Sequence, residues 1–204
     1  MHRFNNLPLY CVLLSCGLLT ACSGLLESGK PARQVYMLHS PPVKASAGES
    51  SPGETLILSL RAVPGLDTNQ VLVLGSDARL IPAANARWAD NLPEVVTSIT
   101  RRYLSDTRQF KAVRVGSIAR PGEWFTEVEL QAFYGTQGAG GTTTGVELKM
   151  EIMLRCNGAQ KVVRITQQAY TPGDTLASLV AAHQQVLDAA VKELPALILD
   201  NCRT

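Results

Sequence analysis

The pattern of apolar and polar residues predicts six strands in this chain, at residues 55–63, 70–74, 112–115, 123–133, 146–155 and 161–168. The first two segments are continuous apolar runs, which predicts strands that are covered on both faces. The fourth and fifth alternate apolar with polar residues, which predicts half-buried antiparallel strands. Asn157-Gly158 predicts a tight hairpin turn between the last two segments.

Two further segments follow the helical repeat. Apolar residues recur every three or four positions over residues 92–103 and over residues 176–194, which predicts two amphipathic helices. Pro195 is expected to kink or end the second helix. Residues 79–89 are predicted to form a loop. The predicted order is β-β-α-β-β-β-β-α, an α+β single domain in which two principal helices pack on a mixed, mainly antiparallel sheet.

The N-terminal residues carry an export signal. His2 and Arg3 precede an apolar stretch at residues 7–19, which is too short to span a membrane but fits a secretory signal. Leu19-Thr20-Ala21-Cys22 resembles the lipobox of bacterial lipoproteins, in which the cysteine receives acyl chains such as palmitate and becomes the first mature residue. An ordinary signal peptide with an incidental cysteine is the alternative. In Gram-negative lipoproteins, Ser23 rather than Asp after the cysteine favours the outer membrane, facing the periplasm.

This pattern divides the chain into three parts. Residues 1–21 are the predicted lipoprotein signal peptide, and residues 22–54 are the lipidated N-terminus and a flexible tether rich in Gly, Pro and Ser. Within the tether, residues 34–38 have strand-like composition and could join the sheet as an edge. Residues 55–204 form the predicted folded domain, which is long enough to bury a sizeable core.

Charge and hydropathy narrow the range of functions. The chain has 19 Lys and Arg against 17 Asp and Glu, a formal net charge of +2, and no basic stripe. Nucleic acid is therefore excluded as an expected partner. No mature segment is apolar enough for a transmembrane helix, so the lipid on Cys22 is the expected membrane anchor.

Five cysteines are present. Cys11 and Cys16 leave with the signal peptide and Cys22 takes the lipid, so Cys156 and Cys202 remain. An even number of remaining cysteines in the oxidising periplasm indicates one disulfide between these two. Two separate buried thiols are the alternative, and a metal pair is disfavoured because neither cysteine lies in a CxxC motif or beside a histidine.

No pattern in the mature chain predicts catalysis, a metal site or a cofactor. His39 lies in the tether, and His183 lies on the apolar stripe of the last helix, where a packed histidine is the better interpretation. Glycines at 135, 138, 140, 141 and 145 form a loop that leads into a strand, whereas a phosphate cradle needs a helix N-terminus. A structural hairpin loop is favoured over a mobile contact loop for a lipid or protein partner. Four aromatic residues are predicted to flank this loop and to pack at the edge of the sheet, namely Trp124, Phe125, Phe133 and Tyr134.

The order of several short motifs resembles one protein family. The lipobox is followed by Tyr36-Met37-Leu38, two early strands, Trp88-Ala89 before a helix, and a Leu-x(5)-Phe segment from Leu104 to Phe110. This order resembles the ABC-type transport auxiliary lipoproteins, a family that includes the paraquat-inducible C-type lipoprotein. The resemblance covers nearly all of the mature chain. Residues 63–67 depart from the family pattern, which leaves the conformation of that loop open.

The resemblance implies a non-catalytic part of a transport system. Its expected partners are an MCE-domain protein and an inner-membrane ABC permease with its ATPase, and its expected role is docking at the outer membrane during transport of lipids or other apolar molecules. A homo-oligomer is an open alternative, because a ring-like partner would favour a matching ring. An independent periplasmic lipid-binding carrier is the alternative function, with the apolar face of the long helix near the glycine-rich loop as its binding cue.

Overall fold

Within residues 33–43, 53–138, 140–171, 173 and 175–203, which the computed structural model describes, the chain forms eight strands and two long helices. The strands are β1 Gln34–Tyr36, β2 Thr55–Ala62, β3 Gln70–Leu74, β4 Leu80–Trp88, β5 Ala112–Val115, β6 Trp124–Gln137, β7 Thr143–Cys156 and β8 Ala159–Tyr170. The helices are α1 Leu92–Asp106 and α2 Leu176–Cys202, and a 3₁₀ helix, Pro64–Leu66, joins β2 to β3. The predicted signal peptide, Cys22 and most of the predicted tether lie outside the described residues.

The strands form one mixed sheet organised around β6. One edge of β6 pairs along its length with β7, and β7 pairs with β8, both antiparallel. The other edge of β6 pairs first with β2 and then with β3, both parallel, so β2 and β3 follow one another along it. Parallel β5 extends the sheet beyond β2, while antiparallel β4 and then parallel β1 extend it beyond β3. The predicted α+β class with a mixed, mainly antiparallel sheet is confirmed.

Both helices pack on the same face of the sheet, which we call the inner face. On β7 the inner residues are the apolar ones that the alternation predicted, namely Val146, Leu148, Met150, Ile152 and Leu154, each at most 2% exposed. Helix α2 contributes Leu187, Ala190 and Val191 to the same core, all at 0% exposure. Because burying one such side chain stabilises a fold by roughly 1.5–3 kcal/mol, this layer holds the domain together.

The opposite, outer face of the sheet carries several ion pairs. Arg61 of β2 pairs with Glu127 and Glu129 of β6, and Arg164 of β8 pairs with Glu151 of β7. These partners sit side by side because their strands are neighbours in register. Alternate residues of the same strands therefore build an apolar layer on one side and a polar surface on the other.

A bulge in β6 changes which side chains reach the inner face. The pairing with β7 shifts between Leu130 and Ala132, so Phe133 pairs with Leu148 of the inner layer. The alternation predicted for residues 123–133, continued without interruption, would place Ala132 there instead. A bulge adds one unpaired residue and reverses the alternation beyond it.

The loop predicted for residues 79–89 is wrong, because most of it is strand β4. Only Ala86 and Trp88 of this strand are buried, so it has no apolar alternation to reveal it. Strand β1 pairs only with residues 86–88, so among the described strands the part of β4 that contains Pro82 pairs with β3 alone. It is therefore an edge of the sheet at this point, where a proline is tolerated.

The end predicted for the last helix is also corrected. Helix α2 continues through Pro195 to Cys202, past residue 194, where the predicted helical segment ended. A proline removes one backbone donor from a helix. Here the following turns are buried, with Ile198 at 0% and Cys202 at 3% exposure, and this packing holds them in the helix.

Candidate functional site

His183 is a core histidine. Its imidazole is fully buried and lies 5.3 Å from the ring of Trp88 and 4.9 Å from the ring of Phe133, edge to face with both. Nδ1 lies 2.8 Å from the carbonyl oxygen of Leu179, so a neutral ring donates its proton there. Burial lowers the pKa of His183 to about 4, which keeps the ring neutral at physiological pH. Nε2 has no hydrogen-bond partner in the described part of the chain, and no carboxylate is bonded to the ring.

His39 contributes its backbone to a clamp that holds the incoming chain on the domain. The amide N–H of His39 donates to Oε1 of Gln184 over 2.8 Å, and Nε2 of Gln184 donates to the carbonyl of His39 over 2.9 Å. The neighbouring Leu38 is 6% exposed and joins the core. Residues 33–43, which the sequence placed in the tether, are thus attached to α2.

Cys156 and Cys202 are joined by a disulfide with a Cα–Cα distance of 5.5 Å. It connects the last residue of β7 to the last residue of α2. The side chain of Asn157, in the hairpin turn, donates to the carbonyl oxygen of Cys202 over 2.7 Å. The C-terminus of the helix is therefore fixed to the β7–β8 hairpin by a covalent and a polar link.

The glycine-rich loop connects β6 to β7 and borders a cleft. Gly140 and Gly141 have φ values of +89° and +82°, which side-chain-bearing residues rarely adopt. A cleft of about 310 Å³ lies between this loop, β4 and the first turn of α2, and its lining includes Val73, Ile81 and Leu179. Of the aromatic residues expected to flank the loop, Trp124 and Phe125 lie at the opposite end of β6.

The apolar stripe of α2 is not a free ligand surface. Its residues Leu187, Val191 and Leu194 are at most 1% exposed because they pack in the core beneath the sheet. Among the described residues, the first turn of α2 lines the cleft beside the glycine-rich loop, and the rest of its apolar stripe packs in the core. The stripe that the sequence suggested as a lipid-binding surface therefore meets this cleft at Leu176 and Leu179.

A larger cavity, of about 620 Å³, lies at the other end of the sheet. The connection from β5 to β6, residues 116–123, forms one wall, and the β7–β8 turn forms another. Trp124, Phe125 and Arg155 line it between these walls. Sequence reasoning missed this cavity, because residues 116–123 show no periodic pattern and contain no recognised motif.

No cluster of His, Cys, Asp or Glu with the geometry of a metal site occurs among the residues that the structure describes. In the same residues, no helix combines the length and the apolar character needed to cross a membrane.

Apart from the lipobox, which lies outside the described residues, the motifs that carried the family resemblance are structural. Trp88 is 1% exposed and Leu104 is 0% exposed, and Phe110 is buried beside them in the core. The amide N–H of Ala89 donates to the carbonyl oxygen of Tyr36 over 3.0 Å, which joins the first motif to the Trp-Ala pair. The order of these motifs is thus the signature of this sheet and its first helix.

Comparison with known structures confirms the fold. A crystal structure of an uncharacterised protein superposes with a TM-score of 0.64 at 16% identity, covering 82% of this chain and 99% of that one. A DUF330 protein from Xanthomonas campestris superposes with a TM-score of 0.64 at 17% identity, covering 79% of this chain and 92% of that one. No curated protein sequence is significantly similar to this chain.

The family model for the ABC-type transport auxiliary lipoprotein component matches residues 36–194. The match begins at Tyr36 of β1 and ends at Leu194 in α2, so it includes all eight strands in whole or in part. It covers both ends of the Tyr36–Ala89 backbone contact described above. The chain therefore belongs to the family of ABC-type transport auxiliary lipoprotein components, as its motif order predicted.

Proposed function

We propose that this protein is a non-catalytic, lipid-anchored docking component of an MCE-type ABC transport system that moves lipids or other apolar molecules across the periplasm. The match of the family model over residues 36–194 carries this proposal. The expected partners are an MCE-domain protein and the inner-membrane permease with its ATPase.

The anchor in this proposal is an acylated Cys22 that follows a signal peptide of residues 1–21. A cysteine with two or more acyl chains holds a protein stably at a bilayer, whereas one chain holds it only marginally. Ser23 supports an outer-membrane location in a Gram-negative cell. The attachment of residues 33–43 to α2 then leaves the preceding mature residues to connect the lipid to the domain.

Metabolic labelling with a palmitate analogue tests the anchor. We expect the label on the wild-type chain and its loss in Cys22→Ala, with Cys16→Ala as the matched control that keeps it. We also expect Ser23→Asp to move the labelled protein from the outer-membrane to the inner-membrane fraction. Label retained on Cys22→Ala would rule out Cys22 as the acylated residue.

Affinity purification from gently solubilised envelopes, followed by mass spectrometry, tests the partners. Recovery of an MCE subunit together with its permease supports docking. The Cys22→Ala chain is the control, because it should lose enrichment of the assembly once the anchor is removed. Recovery of the lipoprotein alone, loaded with lipid, would overturn docking in favour of an independent periplasmic carrier.

A further inference from the structure

The cavity of about 620 Å³ exists because of an unusual connection in the sheet. Strands β5 and β6 are both parallel to β2 and lie on either side of it. Residues 116–123 must therefore cross β2 to join them. A Cβ atom added at Gly116 would lie 3.4 Å from Cγ2 of Ile57, which places the start of the crossing over that side chain. Phe125 and Ile57 are paired neighbours and are 3% and 2% exposed.

Ile57 and Phe125 lie on the outer face, in contrast to the charged residues found elsewhere on it. Their chain neighbours Leu56, Leu58 and Trp124 belong to the core cluster of the inner layer, whereas these two do not. The aromatic residue that this face contributes to the cavity is therefore Phe125, at one end of a surface that elsewhere carries ion pairs. Ile118, in the crossing loop at its edge, is 82% exposed.

The cationic groups at this cavity differ from the other cations of the outer face. Arg61, Lys149 and Arg164 each pair with a carboxylate on a neighbouring position. Arg155 instead stacks on Phe125, with its guanidinium carbon 4.3 Å from the ring centroid. No carboxylate in the described part of the chain pairs with it.

The other charged groups at the cavity leave a net positive charge there. The carboxylate of Glu123 pairs with Arg114 and accepts a hydrogen bond from the amide N–H of Arg120 over 2.9 Å. The guanidinium of Arg120 has no ion pair within the described residues. The acid at the site is therefore already neutralised, while Arg120 and Arg155 remain available.

We propose that this cavity binds one anionic amphiphile, a carboxylate or phosphate on an apolar chain, with the anion at Arg155 and Arg120 and the chain against Phe125 and Ile118. The volume of about 620 Å³ lies within the range of small-molecule sites. A guanidinium binds planar carboxylates and phosphates through paired hydrogen bonds, and its stacking on Phe125 orients it beforehand. The site concerns this chain alone and stands whether or not the chain docks to a transport assembly.

Calorimetric titration of residues 23–204, exported behind an ordinary signal peptide so that no lipid is attached, tests the site without a detergent to keep the protein in solution. Residues 33–204 form one compact unit, so the loss of the anchor leaves the cavity intact. The probes are dodecanoate, dihexanoyl phosphatidylglycerol, neutral dodecyl maltoside and inorganic phosphate, each below its micelle concentration. We expect saturable binding of at least one of the two anionic amphiphiles, and much weaker binding of the neutral amphiphile and of phosphate alone. Preference for dodecanoate identifies a fatty acid as the source, and preference for the phosphatidylglycerol identifies a phospholipid.

Two arginine variants make the test specific. Arg155→Gln should weaken binding about tenfold or more, because it removes a charge-assisted hydrogen bond to the anion. Arg164→Gln is the matched control, since it removes an arginine of the same face outside the cavity, and it should leave the affinity within about twofold. Arg120→Gln is a second variant in the crossing loop, and thermal unfolding monitors the fold of each.

Three outcomes overturn the proposal. The first is an absence of saturable binding for both anionic probes, and the second is an equal loss of affinity in Arg155→Gln and Arg164→Gln. The third is binding of an acidic apolar peptide at Arg155 without any binding of the amphiphiles, which would assign the cavity to a protein partner. None of these results depends on recovery of a transport assembly, so failure here and failure of the docking proposal are distinguishable.

Discussion

The two faces of the sheet are made from alternate residues of the same strands, yet different forces act on them. On β7, Leu148 is fully buried against the helical layer, while the adjacent Lys149 is an exposed side chain that pairs with Glu147 over 2.8 Å. Burial of apolar area dominates folding free energy, whereas exposed ion pairs contribute about 0–1 kcal/mol. The inner face therefore determines stability. The outer face can vary its charges, and even open a cavity, at little cost to the fold.

The covalent link within the inner layer gives the largest expected effect. Reduction of the Cys156–Cys202 disulfide, whose cysteines are 46 residues apart, should lower the free energy of unfolding by about 4 kcal/mol through the gain in chain entropy of the unfolded state. Denaturant unfolding of the oxidised and the reduced protein measures this loss. Reduction leaves the volume of the side chains unchanged, so the measurement isolates the effect of the bond. The Cys156→Ala/Cys202→Ala double variant, insensitive to reductant, is the control. Equal midpoints with and without reductant would show that the bridge does not form.

Truncation of a core side chain gives the next largest effect and compares the faces directly. Leu148→Ala should lower the free energy of unfolding by about 3 kcal/mol, because it removes a fully buried side chain and leaves a cavity. Val162→Ala, at an outer position of β8 with 50% exposure, should change it by about 0.5 kcal/mol or less. Urea unfolding of both variants measures the difference. Similar losses in the two variants would contradict the division between the faces.

Much of the inner layer could be predicted from the sequence because its signals are local. The bounds of β3 and β5 matched the predicted segments, and the alternation in β7 identified its buried residues. The predictions failed where neighbours decide the outcome. Strand β4 is held by pairing with β3 and β1 although its own residues are mostly exposed, and the turns after Pro195 are held by burial of Ile198 and Cys202.

The cavity on the outer face could not be predicted for a related reason. Its walls depend on β5 and β6 lying on opposite sides of β2, which is a property of the strand order. Residues 116–123 carry no repeat that indicates this crossing. Arg155 also looks like an ordinary polar member of an alternating strand, and only its stacking on Phe125 and its lack of a carboxylate partner among the described residues set it apart.

A buried titratable group distinguishes the inner face by its response to pH. Burial lowers the pKa of His183 from 6.5 to about 4, so the unfolded chain binds a proton at this residue before the folded chain does. The stability that the neutral ring contributes is complete above pH 6.5 and is lost as the pH falls towards 4. At about pH 5 the loss should be about 2 kcal/mol. Unfolding measured across this interval for wild type and His183→Leu checks it, since the variant should lose less stability on acidification. Identical pH slopes would contradict the assigned shift.

The outer ion pairs give the smallest expected effect and complete the comparison. Arg164 contacts Oε2 of Glu151 through Nε at 3.0 Å and Nη2 at 2.8 Å, but its side chain is 72% exposed. Water and salt screen such a pair, so Arg164→Gln should change the free energy of unfolding by about 0.5 kcal/mol or less. A double-mutant cycle with Glu151→Gln isolates the coupling, which should shrink further as salt is added. A coupling above about 2 kcal/mol that resists salt would mean that the outer face also stabilises the fold, beyond what exposed pairs contribute. Its charges could then not be reassigned to ligand or partner binding without a loss of stability.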